Sequence, residues 1–487
     1  KLIMSNLLDL PAWKVVEGIR GEEFRAEEYF YEILKRIEEK EEAIHAYITL
    51  LKVEGMENAR QLDKRIRNQE NIGRLAGVAI AIKDNICTKD IETTCGSHIL
   101  QGFKPPYDAT VISNVTREDG IILGKTNMDE FGMGSSTEHS SLGPTRNPLD
   151  LELVPGGSSG GSAAATVSGE ATLSLGSDTG GSIRCPAAFC SAVGLKPTYG
   201  LVSRYGLIAY SNSLEQIGPI SRSVRDTALL LNIIAGYDPL DSTSVNYPKV
   251  DYEESLNKDI KRLRIGVPKE FLQKGTDETV SKAVWKMLGK LETEGAIVEE
   301  TTLQSFEYAL AAYYTIAMSE ASSNLSRFDG VRYGLNSGRV SQEWGKSFSY
   351  IRGRGFGSEV KRRILSGTYA LSSGYYDDYY LKAQKVRTLI RKDFKDNFKR
   401  FDVLIGPTMP ILPFRFGEKI EDPFQMYMCD IDTVPANLAG LPAISVPCGF
   451  HGNLSIGAQV IAPPFREDLV IQVGYNIEKL SNKNGGL

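Results

Sequence analysis

Histidine and paired cysteine motifs are scarce in this sequence. The 487 residues include four histidines and six cysteines, and no two cysteines form a C-x-x-C pair. Because the spacing of these residues matches no zinc site, we expect no metal on this chain. Cysteines without a disulfide pattern fit a reducing compartment. The residues concerned are His45, His98, His139, His451, Cys87, Cys95, Cys185, Cys190, Cys429 and Cys448.

Long apolar runs and an excess of positive charge are also missing. No run reaches the roughly 18 apolar residues of a transmembrane helix, and residues 1–14 do not resemble a secretory signal. The net charge of −5 provides no general basic field for nucleic acid or anionic lipid. We therefore expect a cytoplasmic protein, or one of an organelle matrix, with no membrane contact.

Nucleotide-binding loops are absent as well. No segment matches G-x-x-x-x-G-K-[ST], and in the nearest approach, residues 120–126, the first glycine is one position too close to the second. No G-x-G-x-x-G fingerprint accompanies the glycine clusters. We expect no nucleotide on this chain.

Glycine and serine are instead concentrated between Val154 and Phe189. Two clusters, residues 156–162 and 176–182, flank segments of core composition, which a flexible linker rarely contains. Glycine allows close backbone approach, and serine supplies a nucleophile or a proton relay. The stretch is predicted to be the active site.

A serine nucleophile needs a base, and two candidates exist. Residues 156–160 fit G-x-S-x-G, which requires a later aspartate and histidine; His451, with Asp402 or Asp430, would have to serve, although its surroundings indicate a surface turn. Lys83 ends a predicted strand, residues 78–83, and a buried lysine can be neutral and act as a base. A lysine reaching solvent is the alternative for that position.

Three motifs together resemble the Ser-cisSer-Lys triad of the amidase signature family. They are Lys83 in AIKDNI, Ser158 in PGGSSGGSAAA and Ser182 in GSDTGGSIR. The resemblance implies that Ser182 is the nucleophile, that Ser158 follows a cis peptide bond and relays protons, and that Lys83 is the base.

Two loop features belong to the same prediction. The amides of Thr179, Gly180, Gly181 and Ser182 can form a nest around an oxyanion, with Asp178 fixing the loop. Ser158 to Ser162 are predicted to lie at a helix N-terminus, where backbone donors favour negative charge.

Two cysteines follow the second glycine cluster. Cys185 and Cys190 flank an apolar segment and are predicted to be small core residues. Cys185 stands where the resembled family usually has glutamine. The triad residues are unaffected by that difference.

Alternating strand and helix patterns predict an α/β fold, and the resemblance implies a central mixed β-sheet covered by helices on both faces. We expect a single domain over residues 1–487. Residues 1–70 would form an N-terminal helical layer, with helices over 22–68, and residues 71–487 the catalytic core.

Three blocks, residues 321–334, 360–387 and 426–449, resemble the glutaminase subunits of tRNA-dependent glutamyl/aspartyl amidotransferases. A pocket for free glutamine needs a cation and an anion. The resemblance implies that Arg363 binds the carboxylate and Asp430 the ammonium, while the substrate also contacts Ser135 and Tyr314. Arg362 is the alternative to Arg363 as the residue that binds the carboxylate.

The resemblance also implies partners. Ammonia would pass to a B subunit that uses ATP and magnesium to amidate Glu-tRNA(Gln) or Asp-tRNA(Asn), and a small C subunit would complete a heterotrimer. Contact with tRNA would be made mainly through the B subunit. The other possibilities are a free-standing amidase, a non-catalytic scaffold and the histidine-based hydrolase.

Overall fold

The computed structural model describes residues 4–272, 275–336 and 343–482. The strands of this part of the chain form one mixed sheet in the order β1-β3-β2-β4-β6-β5-β10-β11-β9-β7-β8. The strands are β1 (Tyr47–Leu50), β2 (Ala79–Lys83), β3 (Ile121–Thr126), β4 (Leu173–Asp178), β5 (Val193–Lys196), β6 (Gln216–Ser221), β7 (Arg264–Pro268), β8 (Ile297–Thr301), β9 (Val403–Pro407), β10 (Ala443–His451) and β11 (Leu454–Ile461).

Helices surround this sheet. They are α1 (Ala12–Arg20), α2 (Ala26–Ile44), α3 (Lys52–Arg67), α4 (Thr110–Arg117), α5 (Gly160–Ser168), α6 (Arg184–Cys190), α7 (Val224–Ile234), α8 (Glu278–Thr293), α9 (Ala309–Asn324), α10 (Trp344–Gly355), α11 (Ser358–Ala370), α12 (Lys382–Asn397), α13 (Pro423–Met428), α14 (Val434–Ala439) and α15 (Glu467–Asn482). A π-helical turn, Asp377–Leu381, precedes α12.

The central strands are buried on both faces, which explains their nearly continuous apolar sequences. Every residue of β2, β3 and β4 is buried. In β9, Val403 and Ile405 enter one hydrophobic core and Leu404 enters another. Because side chains alternate along a strand, the two cores lie on opposite faces of the sheet. The predicted α/β architecture is confirmed.

Parallel pairing brings the ends of two strands together. β2 pairs in parallel with β4, and Ile82 lies opposite Leu175. Lys83 at the end of β2 therefore lies beside the end of β4, from which the second glycine cluster continues. Two stretches that are about 90 residues apart in the chain therefore meet at the ends of neighbouring strands.

One element was predicted wrongly. Residues 22–68 were expected to be helical throughout, but β1 lies between α2 and α3 and pairs antiparallel with β3. His45 ends α2 in a left-handed conformation, with φ of 57°. The sequence Tyr47–Leu50 favours a strand once a neighbouring edge is present. The division into a helical layer and a catalytic core stays a prediction. The ends of the predicted single domain, residues 1–3 and 483–487, lie outside the described residues.

Candidate active site

Lys83 is completely buried at the end of β2. Its Nζ donates to Ser158 Oγ at 2.7 Å and to the carbonyl of Ser177 at 3.2 Å. Burial lowers the pKa of Lys83 to about 7, although Asp129 and Asp178 favour the charged form. A large neutral fraction at physiological pH makes Lys83 a competent proton acceptor for the Ser158 hydroxyl.

The first glycine cluster presents Ser158 from a tightly packed turn. The Gly157–Ser158 peptide bond is cis, as predicted. A Cβ atom on Gly157 would lie 2.1 Å from Asp129 Oδ2, so only glycine fits. Helix α5 begins at Gly160, which confirms that this cluster lies at a helix N-terminus.

Asp129 was not identified from the sequence, yet it organises the loop opposite Gly157. Its carboxylate accepts hydrogen bonds from the backbone N–H groups of Thr137 and His139, at 2.9 and 3.1 Å. These bonds hold residues 135–139 against the first glycine cluster. A carboxylate in a loop carries no periodic signal, so its role depends on contacts that only the fold creates.

The second cluster places Ser182 in a loop fixed by Asp178. The Asp178 carboxylate accepts from Gly181 N–H at 2.8 Å, Ile183 N–H at 3.2 Å and Arg184 Nε at 3.0 Å. Burial alone would raise the pKa of Asp178, but the guanidinium of Arg184 lowers it below its ordinary value. The geometric role predicted for Asp178 agrees with these contacts.

A backbone contact joins the two clusters. Ser159 N–H donates to the carbonyl oxygen of Ser182 at 3.1 Å. Both serines of the predicted triad, Ser158 and Ser182, are buried. The fold therefore gathers Lys83, Ser158 and the loop of Ser182 at one site.

Of the four predicted oxyanion amides, one is engaged elsewhere. Gly181 N–H donates to Asp178, so it is not free to bind an oxyanion. Within the described residues, no acceptor is bonded to the N–H groups of Thr179, Gly180 and Ser182. The loop packs against Thr433, whose hydroxyl donates to the Gly180 carbonyl at 2.5 Å. Three amides are left for an oxyanion.

The residues predicted to bind glutamine also converge. Asp430 accepts from the hydroxyl of Ser135 at 2.9 Å and from that of Tyr314 at 2.6 Å. Burial raises the pKa of Asp430 to about 6, against the effect of these two donors. The carboxylate is therefore mostly ionised above neutral pH and can pair with an ammonium group.

Arg363 lies beside Asp430 and its two hydroxyl donors. Its guanidinium lies 5.2 Å from the ring centre of Tyr314, and its Nη1 donates to Tyr210 Oη at 2.7 Å. The Arg363 side chain is 3% exposed, whereas that of Arg362 is 45% exposed. Of the two neighbouring arginines, Arg363 is the one that reaches the predicted pocket.

Three side chains of this pocket escaped the sequence reasoning: Glu359, Tyr210 and Tyr427. Glu359 Oε1 accepts from Arg363 Nε and from the Tyr427 hydroxyl, both at 2.7 Å. The Tyr427 ring stacks on Tyr314 at 4.2 Å. The i, i+4 spacing of Glu359 and Arg363 was a local signal for their ion pair. The tyrosines gave no such signal.

Cys185 packs beside the site as a neutral thiol. Its Sγ lies 3.6 Å from the carbonyl oxygen of Ser135, and burial raises its pKa well above the ordinary value. All six cysteines are buried and unpaired, which confirms that Cys185 and Cys190 are core residues. The thiol contacts the loop of Ser135 and leaves the Lys83–Ser158 hydrogen bond intact.

The histidine-based alternative gains no support. His451 is exposed at the hairpin between β10 and β11, as its sequence context predicted, and Ser158 is bonded to Lys83 instead. In the described part of the chain, no group of three or more histidine, cysteine or acidic residues could hold a metal ion. No helix among those residues is long and apolar enough to cross a membrane.

Comparison with known proteins finds similarity over nearly the whole chain. The Amidase family model matches residues 28–471. The A subunit of the glutamyl-tRNA(Gln) amidotransferase of Halothermothrix orenii is 54% identical over 478 residues, 98% of each chain. The corresponding protein of Methanosarcina mazei is 56% identical over 440 residues, 90% of this chain and 91% of the relative.

Solved structures give the same result. The A subunit of the glutamyl-tRNA(Gln) amidotransferase of Thermotoga maritima matches with a TM-score of 0.79 and 41% identity, over 99% of this chain and 95% of that one. A peptide amidase of Stenotrophomonas maltophilia matches with a TM-score of 0.80 and 27% identity, over 97% of both chains.

Proposed function

This chain belongs to the amidase family, and we propose that it is the glutamine-hydrolysing A subunit of a tRNA-dependent amidotransferase. The observation that carries the proposal is the buried hydrogen bond between Lys83 and Ser158, 2.7 Å long, beside the loop of Ser182. The relatives at more than 50% identity, which match over most of their length, support the assignment to this branch of the family.

The proposed reaction begins when Ser182 Oγ attacks the side-chain amide carbon of glutamine. Ser158 accepts the proton of Ser182 and passes its own to neutral Lys83 Nζ, and the path reverses to protonate the departing ammonia. The amides of Thr179, Gly180 and Ser182 stabilise the oxyanion. Water then hydrolyses the glutamyl ester, releasing glutamate and restoring the Ser182 hydroxyl.

Specificity for glutamine would come from two opposite charges in one pocket. Asp430 would bind the α-ammonium group, with Ser135 and Tyr314 keeping its carboxylate in place. Arg363 would bind the α-carboxylate through the donors that Glu359 and Tyr210 leave free. Because Asp430 is buried, an amide without an α-ammonium group would leave this carboxylate without that cation, and an amide without an α-carboxylate would leave the donors of Arg363 that face the pocket without that acceptor; both losses are costly.

The ammonia would be used by a partner. The relatives at more than 50% identity are each named as one subunit of an amidotransferase, which implies further subunits. We propose that a B subunit binds ATP and magnesium and carries most of the tRNA contact, and that a small C subunit completes the heterotrimer. Such a complex would act in the cytoplasm or in an organelle matrix.

Ammonia release from glutamine tests the proposal, measured for the chain with and without co-expressed B and C subunits. We expect partner-stimulated release that Ser182→Ala abolishes, while Ser113→Ala on α4 retains it. Release from unrelated amides without partners would favour a free-standing amidase. The fold of this chain is also similar to that of a peptide amidase. Activity that survives in Ser182→Ala would overturn the assignment of the nucleophile.

A further inference from the structure

Large apolar side chains are unusually exposed on one surface of this molecule. The side chains of Leu365, Tyr369, Tyr375 and Tyr379 are between 43% and 70% exposed. They lie along the end of α11, the turn that follows it and the π-helical turn, and we call them the tyrosine face. Adjacent exposed aromatic side chains of this kind usually mark an interaction surface, whereas single ones need no explanation.

The rings of the tyrosine face are held in place by one another. Tyr369 lies 4.4 Å from Tyr375 and 5.7 Å from Tyr379, measured between ring centres. Because these rings pack against one another, part of their rotational freedom is already restricted, which lowers the entropy cost of binding. Tyrosine is also enriched among the residues that dominate protein–protein affinity.

The tyrosine face adjoins the candidate glutamine pocket. A cavity of about 440 Å³ is lined by Leu365, Tyr369 and Tyr379 and, on its inner side, by Tyr314. Tyr314 is the residue whose hydroxyl donates to Asp430. A molecule that covers the tyrosine face therefore closes a cavity that reaches the wall of the pocket.

Charge on this surface argues for a protein rather than a nucleic acid. Asp377 and Asp378 are exposed within the π-helical turn and would repel phosphate groups. Lys382 and Lys385 are exposed on the following helix. An apolar aromatic centre with charges of both signs at its edge is the usual composition of a protein–protein interface.

We propose that the tyrosine face is the docking surface for the ammonia-consuming subunit. This inference rests on the proposed function, because only an amidotransferase needs to deliver ammonia without losing it to solvent. The partner surface would be apolar at its centre, with an acidic group opposite Lys382 and a basic group opposite Asp377. Docking here covers the cavity next to Tyr314, so the partner would lie against the wall of the glutamine pocket.

The test is assembly of the complete complex with the double variant Leu365→Asp/Tyr375→Asp, neither residue being part of the catalytic or glutamine-binding machinery. We expect the Kd for the partner subunits to rise about thirtyfold, while saturating partner restores the wild-type kcat for glutamine hydrolysis. Tyr31→Asp is the matched control, because Tyr31 is 55% exposed on α2. An unchanged Kd for the double variant would overturn the proposal.

A photo-crosslinking residue at Tyr375 identifies the occupant directly. A crosslink to the subunit that uses ATP supports the proposal, and a crosslink to the small third subunit, to a second copy of this chain or to tRNA overturns it. Failure of the proposed function is recognised separately: the wild-type complex would then assemble without hydrolysing glutamine, whatever the crosslink shows.

Discussion

Glu359 and Arg363 lie one helical turn apart on α11, and the carboxylate of Glu359 accepts a hydrogen bond from Arg363 Nε at 2.7 Å. Both side chains are buried. The bond fixes the plane of the guanidinium and leaves part of its donor edge available. If Arg363 binds the α-carboxylate of glutamine as proposed, Glu359 would therefore act as a positioning residue through Arg363.

Replacing Glu359 should weaken glutamine binding more than it slows the chemical step. We expect Glu359→Gln to raise the KM for glutamine at least tenfold, because a charge-assisted hydrogen bond contributes roughly 1.5 to 3 kcal/mol, with kcat changed much less. Thr368→Ala is the control on the same helix, since Thr368 is exposed and its hydroxyl donates to the backbone carbonyl of Ile364. The positioning role would be contradicted if Glu359→Gln changed the KM for glutamine and kcat no more than the control variant does.

The pH dependence should follow Lys83 and Asp430. Lys83 must be neutral, so kcat/KM should rise with pH through about 7, the pKa that burial gives it. Asp430 must be ionised to bind ammonium, which adds a second loss of activity below its pKa of about 6. Steady-state rates across neutral pH, from acidic to alkaline buffer, measure both. A profile that falls as pH rises through neutrality would be incompatible with a neutral lysine base.

Removing Lys83 should abolish activity and stabilise the fold. In the unfolded chain Lys83 keeps its proton up to about pH 10.5, whereas the folded chain, with a pKa of about 7, releases it earlier. The unfolded state therefore binds more protons between these values, and stability rises with pH across this window. At neutral pH we expect Lys83→Met to raise the free energy of unfolding by about 2 kcal/mol after the lost hydrogen bonds are counted.

Denaturant unfolding of Lys83→Met at neutral and at alkaline pH checks this prediction. The gain in stability should be larger at neutral pH, where the buried amine is most costly. Gly289→Ala, on the exposed face of α8 with no atom within 4 Å of the new Cβ, provides a stabilised control whose gain does not depend on pH. If Lys83→Met were less stable than wild type at neutral pH, the buried amine of Lys83 would not be destabilising.

Gly157 should tolerate no side chain. A Cβ there would lie 2.1 Å from Asp129 Oδ2 and 2.7 Å from the backbone nitrogen of Ser136. Since backbone atoms cannot move aside cheaply, we expect Gly157→Ala to lose several kcal/mol of stability, or to fail to accumulate as folded protein. Thermal unfolding of Gly157→Ala is compared with that of Gly289→Ala, whose free energy of unfolding is expected to rise by about 1 kcal/mol. Equal melting temperatures for the two variants would show that the loops that meet at Gly157 can move apart.

Replacing Ser158 tests the proton relay. Ser158→Ala keeps the nucleophile but removes the hydroxyl between it and Lys83 Nζ, so kcat should fall by about 10²- to 10⁴-fold. Ser182→Ala should show no covalent intermediate at all. Mass spectrometry of rapidly quenched enzyme detects the glutamyl adduct on Ser182. An adduct on Ser158 would reverse the two roles.

The sequence by itself determined the elements that depend on local spacing. The end of β2 at Lys83, the start of α5 next to Ser158 and the turn before Ser182 follow from apolar periodicity and from glycine clusters, which act over a few residues. Together with the family resemblance, these signals identify the residues of the proposed triad without any tertiary contact.

Only the tertiary structure decided the features that depend on distant partners. The strand Tyr47–Leu50 forms because the edge of β3 is available, and Arg363 rather than Arg362 enters the pocket because that face of α11 packs inward. Gly181 loses its amide to Asp178, and Tyr427 joins Glu359 from 68 residues away. Hydrogen-bond partners and burial arise from packing between remote segments, which no local pattern encodes.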